Sequence, residues 1–411
     1  MALIYCGIDE AGYGPMLGPL CVGFSAFRIE TWVPEEGAPD LWKTLERAVC
    51  RKGRDAKGRI AVADSKKLKL SNQSKTRHPL THLERGVLAF GGLVGDSLGA
   101  TGRSPVPNGP TPSATSETPH RSLTSGIRES PGPDSDAALF TALGVRLEPH
   151  PWYAGDPVVL PLAGSAAQLA IARNRLALAC EAAGVEPIAL ACISVGETEF
   201  NEVIRTGGNK AHLTTRCFAR FLRRAVERWG GGEDEVRIVC DRHGGRTSYA
   251  PMIEAVVRGL GFEVETLEES ERCSRYAVQK TEPEAQARSP ESARQLQEKS
   301  PPRKRGATGV GEEAGIPDPS LARGAPFPDS SASIHVQFRP EAEEAHLPVA
   351  LASMTAKLVR ELVMGRFNRY WSGRMPELKP TAGYVQDARR WLEDLEGVLC
   401  DDERDVIIRR A

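Results

Sequence analysis

Two adjacent carboxylates, Asp9 and Glu10, close the apolar run Leu3-Ile4-Tyr5-Cys6-Gly7-Ile8 and stand directly before a turn crowded with Gly12, Gly14, Pro15, Gly18 and Pro19. A third acid, Asp241, ends the run Val236-Arg237-Ile238-Val239-Cys240, and a fourth, Glu361, sits in a helical pattern that ends near Trp371. Functional groups of open α/β sheets gather at strand ends and adjacent helix faces, so these four can converge. Carboxylates brought together repel one another, and burying them costs on the order of several kcal/mol each unless a cation is shared. Oxygen-only ligands favour Mg²⁺ or Mn²⁺, and two such ions about 4 Å apart stabilise both the attacking and the leaving oxygen of an in-line displacement. The chemistry this predicts is phosphodiester hydrolysis. The residue types also admit a plainer reading. Acids at strand ends serve as helix caps and turn formers, and Lys357, one helical turn before Glu361, makes an ordinary ion pair with it.

The elements that must position these groups alternate in type. Residues 2–8 and 20–29 read as two strands joined by the Gly/Pro turn, and 187–195 and 236–240 as short β-branched runs. Between the latter two lies a periodic helix in which Phe218, Phe221, Leu222 and Ala225 form one face, while Arg216, Arg220, Arg223 and Arg224 share another. That basic stripe is either a solvated face or a phosphate track. The segments 275–279 and 333–338 read as strands of a hairpin, 349–371 as a long helix and 384–396 as a last one. The pattern predicts an α/β fold, a mixed central sheet flanked by helices, with a C-terminal helical part.

Two stretches, 97–136 and 282–330, are rich in Pro, Ser and Gly and lack apolar periodicity, so they are expected to be disordered insertions. Residues 51–60 suggest a third, shorter one. The remainder, 1–96, 137–281 and 331–400, is expected to form one discontinuous domain. The chain has 411 residues with 53 basic and 54 acidic ones. With charges so balanced, contact with a polyanion must rest on uneven distribution. Nine single cysteines without a CxxC pair fit a reducing compartment, and no apolar run of membrane-spanning length occurs. A cytoplasmic monomer without membrane contact is expected. No GxxxxGK[ST] phosphate loop or HExxH site is present. His243, just after Asp241, is either a proton shuttle or a structural loop histidine, and KSPPRKRG at 299–306 is a short basic patch.

The string GIDEAGYGPMLGP resembles the opening signature of the ribonuclease HII family, in which an Asp-Glu pair ends the first strand before a Gly-Arg-Gly turn and a second Gly-Pro. ADSKKL at 63–68, Asp241 in VRIVCD, ASMTAKLVRELVM at 352–364 and the Gly-Tyr pair at 383–384 follow in the family's order. The resemblance implies a ribonuclease H-like fold and a metal site of Asp9, Glu10, Asp241 and Glu361 holding Mg²⁺ or Mn²⁺. It implies an endoribonuclease that cuts the RNA strand of RNA–DNA hybrids, or the phosphodiester at ribonucleotides embedded in duplex DNA. Nucleic-acid contacts fall on Gly12, Tyr13, Gly14, Ser65, Lys66, Ser353, Lys357 and Tyr384, with Lys67 either a contact or plain surface. Three departures stand out. Glu361 replaces an Asp, Tyr13 replaces the arginine of the turn, and Pro380-Thr381-Ala382 stands where the family carries a lysine. A tyrosine can stack or hydrogen-bond but does not neutralise phosphate. The alternatives are a structure-selective nuclease with another substrate and a non-catalytic nucleic-acid-binding protein of the same fold.

Overall fold

The computed structural model describes residues 1–34, 37–55, 57–94, 132–242, 244, 246–281 and 334–410. The strands are β1 (Leu3–Ala11), β2 (Leu20–Ile29), β3 (Val49–Cys50), β4 (Ile60–Ala61), β5 (Val185–Val195), β6 (Glu235–Asp241), β7 (Phe262–Glu269), β8 (Ser274–Lys280) and β9 (Ile334–Arg339). The helices are α1 (Leu41–Thr44), α2 (Ser65–Leu68), α3 (Thr81–Gly91), α4 (Asp136–Leu143), α5 (Ala166–Ala182), α6 (Glu197–Arg205), α7 (Lys210–Trp229), α8 (Ala250–Val257), α9 (Ala342–Ala345), α10 (Leu347–Arg374), α11 (Val385–Asp394) and α12 (Asp401–Ile407).

The main sheet has seven strands in the order β5-β2-β1-β6-β9-β8-β7. Its centre is parallel, β1 to β6 and β6 to β9, and both flanks are antiparallel. This is the mixed sheet flanked by helices that the pattern of runs predicts. The hairpin of β1 and β2 forms as expected, and so does the pairing of β8 with β9. Helix α7 covers one face through Phe218, Phe221 and Leu222, while α10 covers the other through Leu351, Met354 and Leu358. Helix α10 is buried nearly all round, and it runs through the middle of its layer instead of lying on its surface.

Two glycines set how closely that helix approaches. A Cβ at Gly7 would lie 2.2 Å from the Pro348 carbonyl carbon, and one at Gly23 would lie 2.1 Å from the Ala352 oxygen. The helix backbone therefore rests directly on the hairpin next to Asp9, and Ser25 Oγ donates to the Pro348 carbonyl at 2.7 Å. This contact fixes where the side chains of α10 meet the end of β1.

The sequence pattern left α1, β3, β4, α2, α3, α4, α5, α6, α8, β7, α9 and α12 unassigned. The disorder expected for 97–131 and 282–330, His243 and the basic patch at 299–306 lie outside the described residues. Residues 132–136 differ from expectation and belong to the folded body. Asp136 is buried and takes two 2.7 Å hydrogen bonds from Arg366 of α10. Around residues 51–60, Arg59 pairs with Asp55 at 2.8 Å in the connection between β3 and β4. No described helix is long and apolar enough to cross a membrane.

Candidate active site

The acids come from ends of neighbouring strands. Ile8 of β1 pairs with Cys240 of the parallel β6, so Asp9 and Asp241 are the next residues on adjacent strands. Side chains alternate along a strand, and Val239 lies in the core on the α10 side, so Asp9 and Asp241 both point towards α10. Asp9 Oδ1 accepts from the Glu10 amide at 2.7 Å, and Asp241 Oδ1 accepts from the Ala342 amide at 3.1 Å. The second bond docks the start of α9 on the acid cluster and brings in Glu343. Ser353 of α10 hydrogen-bonds Asp9 and lies 3.0 Å from the Ser65 hydroxyl. Lys66, whose amide is capped by Asp64 at 2.9 Å, supplies the positive charge that acts on Glu10, Asp241 and Glu343.

Burial first, and then the neighbouring acids, raise every carboxyl in this group above its ordinary range. Asp9 is raised well above it, with Glu10, Asp241 and Glu343 all contributing. Glu10 is pushed up to about 7 by burial and by Asp241, with Lys66 opposing. Glu343 is also pushed up to about 7, by burial and by Asp241. Burial raises Asp241 too, against the hydrogen bonds from the Ala342 and Arg242 amides. Glu10 Oε2 and Glu343 Oε2 are buried without a hydrogen-bond partner. Orphaned carboxylate oxygens in an all-oxygen donor set are the kind of donor a hard divalent cation takes, and no three of these acids hold ligand atoms within 4.8 Å of one another here, so an ion would have to draw them together.

Glu361 is not brought to this cluster. It lies about two helical turns, roughly 12 Å, beyond Ser353 along α10. There it is held by Lys357 at 2.9 Å and Lys69 at 3.6 Å. The ion pair with Lys357, one of the two readings of that spacing, is the one formed. The acid that joins Asp9, Glu10 and Asp241 is instead Glu343. The available signal was its position: it follows β9 directly, and β9 pairs in parallel with the strand that ends on Asp241.

The glycine turn and the Gly-Tyr pair form one platform beside the acids. The Gly383 carbonyl accepts from the amides of Met16 at 2.8 Å and Leu17 at 3.1 Å. Gly12, at φ +91°, leaves no room for a side chain, because a Cβ there would lie 2.6 Å from the Pro19 oxygen and 2.7 Å from Arg360. Arg360 donates to the carbonyls of Leu17 at 3.2 Å and Ala382 at 3.0 Å. Arg409 donates to those of Gly12 at 2.7 Å, Tyr13 at 3.1 Å and Gly18 at 3.2 Å. Neither arginine was singled out by sequence. Tyr13 and Tyr384 stay exposed, at 41% and 48%. Lys357 Nζ lies 5.9 Å from the Tyr384 ring centre and Arg360 Cζ lies 5.5 Å from it. Gly14 has open space around it, and Lys67 pairs with Glu344.

A second group, Glu148, His150 and Glu197, brings one ligand atom from each residue within 4.8 Å of the others, a spacing no other trio of described residues meets. The carboxylate of Glu148 is already engaged there, accepting from the amides of Thr198 at 3.0 Å and Glu199 at 2.8 Å and contacting His150 Nε2 at 2.8 Å. It caps the start of α6, where the helix dipole favours an anion over a cation.

Fold and site together define an α/β protein with a buried carboxylate cluster where its central parallel strands end, next to a Gly-Tyr-Gly turn. No family model and no curated protein matches the chain. Among solved structures it is similar to a chain of the PCNA:RNase HII complex from Archaeoglobus fulgidus, with 11% identity, a TM-score of 0.37, and coverage of 99% of this chain and 93% of that one. At that TM-score the likeness carries no argument about function, which rests on the residues.

Proposed function

We propose that the protein is a metal-dependent endoribonuclease of the ribonuclease HII type, acting on the RNA strand of RNA–DNA hybrids or at ribonucleotides embedded in DNA. The observation that carries this reading is the meeting of Asp9, Glu10, Asp241 and Glu343 at strand ends, with two of their oxygens buried and unpaired, beside the turn of Gly12, Tyr13 and Gly14. The five motif strings in family order support it.

In this reading Asp9, Glu10, Asp241 and Glu343 would hold Mg²⁺ or Mn²⁺, which would supply Lewis-acid charge for phosphodiester hydrolysis. The protein's own groups orient the strand. Lys66 places a positive charge beside the acids for the scissile phosphate, and the Ser353 hydroxyl, itself bonded to that of Ser65, holds the Asp9 carboxylate. Gly12 and Gly14 let backbone approach the sugar, where a 2′-hydroxyl, both donor and acceptor, distinguishes RNA from DNA. The exposed rings of Tyr13 and Tyr384 offer stacking surfaces for nucleotides. Lys357 and Arg360 keep the Tyr384 ring next to positive charge.

The test is cleavage, with Mg²⁺ and then Mn²⁺, of three labelled duplexes: one ribonucleotide embedded in DNA, a continuous RNA–DNA hybrid, and all-DNA, with Asp9→Asn as control. Ribose-dependent cutting that Asp9→Asn abolishes is the expected result. Equal cutting of all-DNA would assign the metal site to a structure-selective nuclease. No cutting of any duplex would leave a binding protein.

A further inference from the structure

One feature of the surface lies apart from the acids. On α7, Arg216, Arg220 and Arg224 recur every fourth residue, so they form a row along one side of the helix with about 6 Å between successive guanidinium stems. Opposite Arg224 lies Arg146, from the connection that follows α4. Burial and the nearby charges of Arg220 and Arg146 hold Arg224 below its ordinary basicity. Glu227, on the same helix, opposes this at Arg224 but is itself paired with Arg223 at 2.8 Å, and Arg216 has an exposed contact to Glu199 at 3.7 Å. Arg146, Arg220 and Arg224 nevertheless crowd one another, a repulsion that an anion would relieve.

The head of the row lies at the end of the sheet that carries the acids, on the face opposite the one Asp9 and Asp241 point to. Arg246, in the segment that follows Asp241, donates to Thr215 Oγ1 at the head of the row at 3.3 Å. From there α7 descends the face of the sheet opposite α10, and its last residues lead back into the start of β6. The row thus starts at the end of the sheet that carries the acids and runs away from it for about 12 Å.

We propose that Arg216, Arg220 and Arg224, with Arg146 and Arg246, form a track for the phosphate backbone of a nucleic-acid duplex, extending its contact beyond the acid cluster. Every nucleotide of a strand carries one negative charge, so a row of guanidinium groups stepped at about 6 Å meets a line of phosphates with a line of counter-charges. Arginine suits this role because its planar fork engages phosphate oxygens in pairs. The contact reads no sequence. The choice of a nucleic acid over an acidic protein rests on the nuclease reading of the neighbouring site and on this regular spacing.

The test is duplex binding by fluorescence anisotropy in EDTA, where no cleavage occurs, across a range of NaCl concentrations. Each lost phosphate contact lowers the slope of log K against log salt by about 0.9. Arg220→Gln/Arg224→Gln is expected to lower it by about 1 to 2, while Arg220→Lys/Arg224→Lys keeps most of it and shows that the helix tolerates change. Lys43→Gln/Arg47→Gln, on an exposed face elsewhere, controls for total charge. A slope unchanged in the Gln pair, or reduced equally in the control pair, overturns the track. Loss of polyglutamate binding with duplex binding intact overturns it in favour of an acidic protein partner. The cleavage assay is separate: duplex binding through the row by a protein that cuts nothing would remove the nuclease reading alone.

Discussion

Arg409 Nη1 donates to the carbonyl of Gly12 at 2.7 Å across 397 positions of sequence. The arginine is 3% exposed, sits over the Phe200 ring at 4.2 Å, and burial pulls its basicity down to about 10. Its own backbone is held too, because the Arg409 amide donates to the Met16 carbonyl at 2.8 Å. The segment after α12 therefore acts as a strap that closes the glycine turn from behind, leaving the Tyr13 side free for a ligand.

Removing the Arg409 side chain is expected to loosen the turn without unfolding the sheet. Hydrogen bonds to charged groups contribute roughly 1.5–3 kcal/mol, so Arg409→Ala should cost about 2 kcal/mol or more in stability. Amide exchange should accelerate at residues 12–18 while the amides of β1 stay protected. In the cleavage assay KM should rise more than kcat falls, because the strap shapes the binding surface and does not touch the acids. Equal exchange in both proteins at residues 12–18 would show that the strap does not restrain the turn.

Glu343→Gln and Glu361→Gln should separate sharply. Glu343 lies in the acid cluster with a buried unpaired oxygen, so its loss should lower metal-dependent cleavage by about 10²-fold, the scale of removing one electrostatic group from an active site. Glu361 is neutralised by Lys357 and Lys69. Its replacement frees Lys357, and cleavage should change by only a few fold. The measurement is initial rate against Mg²⁺ concentration for both variants. The reverse ranking would return Glu361 to the metal site.

The residues that were legible in the sequence share one property: a local signal. Asp9 and Asp241 each end an apolar β-branched run, and strand ends are where an α/β sheet displays its acids. Ser353 and Lys357 stand in a helix announced by the apolar spacing of Met354, Leu358 and Leu362, and the structure buries it nearly all round. Glu343 had only its place after β9 as a signal, and that place does not single it out, because α9 is only 4 residues long and has two further acids beside it, Glu341 and Glu344. Glu361 was read as a ligand from a motif string, yet helix geometry carries it two turns past Asp9 and leaves it facing Lys357. Arg409 could not be found from local pattern, since every carbonyl it holds lies at the other end of the chain. The fold class followed from the alternation of runs; the order β5-β2-β1-β6-β9 depends on pairings between distant segments, which periodicity does not encode.

The raised carboxyls predict how a divalent ion and pH act on stability together. A carboxyl whose value in the folded state lies above its unfolded value of about 4.3 binds more protons when folded, so its stabilisation is complete below that value and lost as pH rises through the folded one. Glu10 and Glu343, both near 7, therefore make the metal-free protein less stable at pH 8 than at pH 5.5. Mg²⁺ or Mn²⁺ should offset this, raising the melting temperature at pH 8 and much less at pH 5.5, with a ceiling of about 2.7 kcal/mol at a hundred times Kd. Asp9→Asn should be more stable than wild type without metal and should respond weakly to it. A melting temperature indifferent to the ion at pH 8 would sink the metal assignment.

His346 titrates in the opposite sense. Its ring is buried at the start of α10, hydrogen-bonded to the Tyr5 hydroxyl, and burial together with the charges of Arg339 and Arg51 lowers it to about 3. The unfolded chain takes up a proton near pH 6.5, while the folded chain does not until about 3, so stability is complete above 6.5 and falls as pH drops through that window. The slope is at most about 1.4 kcal/mol per pH unit. Between pH 7 and pH 5 wild type should thus lose up to about 2 kcal/mol relative to His346→Gln, whose side chain does not titrate. Comparing the two proteins by urea denaturation at both pH values cancels the contribution of the acid cluster, which is common to them. The stability difference between wild type and variant should shrink as pH falls. A difference that stays constant would mean that His346 protonates freely in the folded protein, and that the packing of α10 against Tyr5 opens to admit the charge.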